Sequence, residues 1–300
     1  MIVGKKERNL KGRLESLGHD CFYLTLKLFG HRGGYLLLLP VIFVYVICSG
    51  KIHRVTSPYV SRRFPEHGWL RKRVDTFRIV LSFGQVLVDR GWLGLNVGAS
   101  FSGELDGRDR LLELVAAGKG LILLTAHVGN WQTALSRICD LGAPVNSLMH
   151  YEHEAVAKHY FDLRKEPVPF TIINSEGFMG GLVESTAALQ RGEIVTIMGD
   201  RYTGGPYAET KFLGDTVRLP AAAYSLAGAT GSPVAVLLAA KTGSRSYRLK
   251  VWNVFQPLPT ERNERRKGLS RWASMFAGSV EKYLEEYPWQ WYNFYDFWSQ

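Results

Sequence analysis

The stretch Leu121-Ile122-Leu123-Leu124-Thr125-Ala126-His127-Val128-Gly129-Asn130-Trp131-Gln132 decides the fold. Its opening run, Leu121 to Thr125, is short, continuously apolar and bounded, which predicts a strand covered on both faces and therefore a sheet held between two layers. Just upstream, Asp109 is placed to cap a helix carrying Leu111, Leu112, Leu114 and Val115, and Gly118-Lys119-Gly120 is placed to stop it. Another helix is expected to begin near Asn130. Downstream the pattern alternates, with strands expected at Phe170 to Ile173, Ile194 to Met198, Val234 to Ala240 and Tyr247 to Val254. Helices are expected near 152–165, 178–191, 220–230 and 263–286. Strand and helix taking turns predicts an α/β fold, a layered, largely parallel central sheet flanked by helices. The last two strands, joined by a short Gly-Ser turn, should form an antiparallel hairpin. No internal repeat or low-complexity tract is present.

The N-terminal part reads differently. Residues 33–49 (GGYLLLLPVIFVYVICS) are uncharged and strongly apolar, with Lys27, His31 and Arg32 before them and Lys51, His53 and Arg54 after. The run is short for a span of ~20 residues and holds Pro40, so a tilted span, a shallow insertion and a buried hairpin are all open. A cleaved signal peptide is not expected, because the run starts late and no small-residue cleavage site follows it. Basic residues continue through Arg62, Arg63, Arg71, Lys72, Arg73 and Arg78, a set suited to an anionic leaflet or to a solvated helix face. Residues 1–80 are therefore read as a membrane-associating helical region and 81–300 as the α/β domain.

The 300 residues carry a formal net charge of +10, and 46% of them are hydrophobic. That is enough for one substantial core, and the charge favours anionic partners, among them phospholipid headgroups, an acidic carrier protein or a coenzyme. Nucleic acid is not expected, since the most charged stretch, ERNERRKG at 261–268, reads as a solvated helix start. Cys21, Cys48 and Cys139 are scattered and odd in number, which argues against a disulfide framework and for a reducing compartment.

His127 follows a buried strand and precedes a helix, the place where ligands gather in open α/β sheets. Gln132 lies close enough to reach the imidazole, and Asn130 sits between them. Asp200 and Arg201 follow the strand ending at Met198, so they stand at a second carboxyl end and are expected to face the same crevice. Arg201, with Lys211 and Arg218, offers donors for a phosphate group. Arg164 is a further candidate for acceptor phosphate. The loop Tyr202 to Tyr207 is expected to be mobile. His150, Glu152, His153, Glu154 and His159 are dense in possible metal ligands, but His159 falls on the far helix face, so no metal is expected. The aromatic tail, Trp289 to Trp298, suits core packing, a membrane interface or the mouth of a pocket.

The stretch LILLTAHVGNWQ resembles the first motif of the lysophospholipid acyltransferase superfamily, a His followed by four residues and then Asp or Glu. More closely, the chain is similar to the branch containing the bacterial lipid A lauroyl and myristoyl acyltransferases. Supporting fragments are Phe83-Gly84 to Asp89-Arg90, Met198-Gly199-Asp200-Arg201, Lys211-Phe212-Leu213-Gly214, Leu219-Pro220-Ala221, Ser232-Pro233-Val234 and the aromatic tail, in consistent order over roughly residues 60–300. The resemblance implies transfer of a fatty acyl chain from acyl-CoA or acyl carrier protein to a lipid or glycolipid acceptor, with His127 as general base and no cofactor beyond the acyl donor. It also implies the cytoplasmic face of a bacterial inner membrane. In the family an acidic residue orients the histidine, and here that position holds Gln132, which accepts a hydrogen bond but cannot offset imidazolium charge. A slower transferase, a rescue by Asp200 or Glu176, and a catalytically retired, membrane-bound homologue are the three outcomes left open. A lipid hydrolase is the remaining rival, weakened by the lack of a GxSxG elbow, and neither GxGxxG nor a Walker loop is present.

Overall fold

A computed structural model of the chain describes residues 3–96, 100–131, 138–150, 169–257 and 264–299. Three helices come first: α1 (Val3–Cys48), α2 (Gly50–Arg63) and α3 (Trp69–Leu95). Helix α1 is broken at Gly30, whose φ of 64° and ψ of −165° lie outside the helical region. Helix α3 runs without interruption through residue 80, where the sequence reading drew its boundary. The α/β part then follows as β1 (Ser102–Asp106), α4 (Arg108–Ala116), β2 (Leu121–Thr125), β3 (Val145–Met149), β4 (Thr171–Asn174), α5 (Leu182–Gln190), β5 (Ile194–Met198), β6 (Tyr207–Phe212), β7 (Asp215–Pro220), α6 (Ala222–Thr230), β8 (Val234–Lys241), β9 (Ser246–Phe255) and α7 (Arg265–Glu286).

Seven strands form one sheet in the order β1-β9-β8-β2-β5-β3-β4. From β8 to β4 every neighbouring pair is parallel; β9 returns antiparallel to β8, and β1 runs parallel to β9. The layered, largely parallel sheet expected from the sequence is what forms. Its centre is β2, where Leu121, Ile122, Leu123 and Leu124 are at most 1% exposed. Successive side chains point to opposite faces, so Ile122 and Leu124 enter the core beneath α5, α6 and α7, while Leu121 and Leu123 enter the core beneath α4 and Phe101. A strand feeding two cores has no polar positions to spare, which is why this one has no alternation.

Several expectations are corrected. Asp109 does not cap α4; the cap position is Gly107, in a left-handed conformation with no side-chain cap bond, and Asp109 sits in the first turn, where its charge favours the helix dipole. The helix expected at 178–191 divides, because Met179, Gly180 and Gly181 all adopt positive φ and leave a 3-10 turn at Phe178–Gly181 ahead of α5. The strand expected at Phe170 to Ile173 is shifted by one residue, to Thr171–Asn174. Four strands lacked a clear signal. Strand β1 (SGELD) is a half-exposed edge, β3 (VNSLM) mixes polar and apolar residues, and β6 with β7 forms a separate two-stranded hairpin. The helix expected at 152–165 lies outside the described residues.

Candidate active site

Strands β2 and β5 are adjacent and parallel, with Thr125 opposite Met198. Positions 127 and 200 therefore emerge side by side, each just past its strand. The backbone then fixes His127 tightly: Tyr292 N–H donates to His127 O at 2.8 Å, and Val128 forms a bridge with Trp291. Gly129 has a φ of +50°, and a Cβ there would stand 2.0 Å from Ala239 O, so only glycine lets this loop close onto β8.

Asp200 is 2% exposed and its carboxylate is fully engaged. Oδ1 lies 2.7 Å from His127 Nδ1, while Oδ2 accepts from the His127 backbone N–H at 2.9 Å, the Trp291 indole at 2.9 Å and Asn293 Nδ2 at 3.1 Å. Burial alone would push the Asp200 carboxyl pKa up; the charge on His127, its ring and backbone hydrogen bonds and the Trp291 indole outweigh burial and hold it below the usual carboxylate value. When the ring is neutral, an ionised acceptor on Nδ1 assigns its proton to that nitrogen and leaves the Nε2 lone pair available. Among the described residues nothing in the protein hydrogen-bonds Nε2, and the His127 side chain is 21% exposed, so it is neither sealed nor flat on the surface.

The other candidates fall in different places. Arg201 donates from Nε to Asn293 Oδ1 at 2.9 Å and from Nη2 to Tyr292 O at 3.0 Å, so its fork holds the tail that in turn holds Asp200. Asn130 is 1% exposed, on the interior side of the loop. Lys211 and Arg218 stand on the β6–β7 hairpin, where Arg218 stacks over Tyr207 at 4.7 Å and faces Glu209 at 3.7 Å; neither contacts the His127–Asp200 pair. Glu176, the alternative rescuer, pairs with His150 at 3.3 Å instead. Gln132, Arg164, Glu152, His153, Glu154 and His159 lie outside the described residues.

An apolar hollow lined by Leu123, Thr125, Trp131, Ile138, Thr196, Leu237 and Ala239 has a volume of about 20 Å³, far below the ~300–1,000 Å³ of small-molecule pockets. What sequence reasoning missed is the tail's role: it suited core packing, a membrane interface or a pocket mouth, and only the return of Trp291 and Asn293 to the end of β5 makes them donors to Asp200.

A partly exposed imidazole backed by a buried carboxylate stands at the carboxyl ends of adjacent parallel strands, an arrangement suited to general-base chemistry. Residues 96–299 match the family described as bacterial lipid A biosynthesis acyltransferase, and the chain belongs to that family. It is accordingly an acyltransferase acting on lipid. No curated protein matches the chain.

Proposed function

We propose that this chain is a membrane-associated enzyme that moves a fatty acyl chain from acyl-CoA or acyl carrier protein to a hydroxyl or amine of a lipid or glycolipid acceptor, at the cytoplasmic face of a bacterial inner membrane. His127 is the general base and Asp200 its orienting carboxylate. The observation that carries this reading is the double hold of Asp200 on the His127 ring and backbone, at 2.7 and 2.9 Å. Nε2 takes the proton from the acceptor as its oxygen or nitrogen attacks the thioester carbonyl, and the imidazolium returns that proton to the departing thiol. Asp200 stabilises the transient imidazolium, which an amide at position 132 cannot do. This supports an active enzyme over a catalytically retired homologue. Helix residues Asp20–Cys48, long and apolar enough to cross a membrane, support the membrane placement.

The test is purified protein incubated with labelled acyl-CoA or acyl carrier protein and a membrane lipid extract. His127→Ala should abolish acylated lipid, and Asp200→Asn should cut kcat by up to ~10⁴-fold with little change in KM. Gln132→Glu should change turnover by less than ~3-fold, because the carboxylate role is already filled at Asp200. Undiminished product in His127→Ala overturns the catalytic assignment, and fatty acid release without an acceptor makes the protein a hydrolase.

A further inference from the structure

Helix α1 presents two unlike faces from Leu24 onward. The inward stripe, with Leu26, His31, Gly34, Leu38, Ile42 and Val46, is buried. It lies lengthwise along α3 in the opposite direction: a Cβ on Gly34 would meet Val88 at 2.9 Å, a Cβ on Gly84 meets Leu38 at 2.7 Å, and a Cβ on Gly91 meets Leu26 at 3.2 Å. Close glycine contacts of this kind let the helices approach along their length. A buried polar cluster locks the arrangement, with His31 Nε2 at 2.6 Å and Lys241 Nζ at 2.5 Å from the carboxylate of Asp89, which is itself fully buried.

The outward face is apolar and open. Leu28, Phe29, Leu36, Phe43, Val44 and Ile47 are 58–71% exposed. No charged residue occurs between Gly33 and Gly50, and Lys27, Arg32, Lys51 and Arg54 stand at the two ends. Pro40, Val41, Val44, Tyr45 and Cys48 line an open hollow of about 790 Å³ on the same helix. An apolar face this long, rimmed by cations, matches a leaflet of anionic lipid, whose headgroups meet the cations while its chains meet the side chains.

A helix that crosses the bilayer is surrounded by hydrocarbon on every side except where another membrane segment covers it. Here the covering segment would be α3, which carries Arg78, Asp89 and Arg90, and behind it the sheet residue Lys241. Dragging those charges to the bilayer centre is prohibitive beside leaving them where they are. We propose that α1 lies in the plane of one leaflet of an anionic membrane, its Leu28-to-Ile47 face among the acyl chains and both of its ends on the same aqueous side. This deepens the membrane association proposed above and rests on it.

Native cysteines make the test direct, because Cys21 and Cys48 are both exposed and flank the apolar segment. Full-length protein keeping only Cys21 (Cys48→Ser, Cys139→Ser) or only Cys48 (Cys21→Ser, Cys139→Ser) is treated with a membrane-impermeant maleimide in right-side-out and inverted membrane vesicles. Both cysteines should label from the same side. Labelling from opposite sides overturns the in-plane arrangement while leaving membrane association intact. Spin labels at positions 28, 36 and 43 provide a second readout. Equal, shallow depths are expected, and a depth profile passing through the bilayer centre overturns the proposal. Phe43→Glu should lower partitioning into phosphatidylglycerol vesicles by ~10-fold or more. Protein that fails to float with such vesicles refutes membrane association itself, and a dimer appearing in its place assigns the face to a second copy.

Discussion

Asp200 accepts hydrogen bonds from His127 N, His127 Nδ1, Trp291 Nε1 and Asn293 Nδ2, in a position closed to solvent. Each donor favours the ionised carboxylate, so its folded-state pKa lies below that of the unfolded chain. The stability linked to this group is therefore complete above the ordinary carboxylate value of ~3.9 and is lost as pH falls through the lower folded value. Asp200→Asn removes that dependence, and the gap in unfolding midpoint between wild type and variant should narrow as pH is lowered from ~6 to ~3. Thermal melts across that range measure it; a constant gap would mean the carboxylate gains nothing from its charge. Trp291→Phe deletes one donor to a charged acceptor and should cost about 1.5–3 kcal/mol of stability, with kcat reduced more than KM is altered. The last point distinguishes a positioning residue from a packing one.

Among elements, β2 was legible because its burial leaves no choice of composition: a strand with both faces covered must read as an unbroken apolar run. Leu124 is fully buried, and Leu124→Ala should cost about 2–5 kcal/mol, seen as a lowered denaturant midpoint with unchanged m-value. Gly129→Ala acts on the same connection by a different route. The added Cβ would strike the Ala239 carbonyl, so the loop must move and carry His127 away from Asp200. Loss of activity exceeding loss of stability is the expected signature, read from kcat/KM beside a melt. Strands β1 and β3 were hidden because an edge strand or one of mixed polarity carries no distinctive period. The hairpin β6–β7 was hidden too: the Gly204-Gly205 and Gly214 signals around it read equally as loop.

Across the whole molecule, carboxylates on distant elements hold the layers together. Asp89 of α3 binds His31 and Tyr35 of α1 as well as Lys241 of β8 and Tyr247 of β9, so one side chain joins two helices to the sheet. Burial lowers the Lys241 pKa and Asp89 only partly restores it, which makes the ammonium dependent on its counter-charge. Asp89→Asn should destabilise by about 3–5 kcal/mol and loosen α1, measurable as a fall in midpoint together with faster hydrogen exchange in residues 31–48. The tail closes the other end: Trp289 donates to Asp75, Trp291 to Asp200, and the Gln290 carboxamide pairs with both backbone groups of Lys241. Its aromatic density was visible in the sequence, whereas its choice of core over membrane interface was not.

The sequence by itself determined the layered α/β class, the central buried strand and the positions of His127 and Asp200 past two strand ends, because hydrophobic period and strand length are local properties that follow from burial. Tertiary structure alone decided that these two strands are neighbours in register, so that Asp200 meets the imidazole from a distance of 73 residues in the chain. The same holds for Trp291 and Asn293, and for which face of α1 is left bare. Contacts between residues far apart in sequence depend on sheet order and helix packing, and no local pattern encodes those.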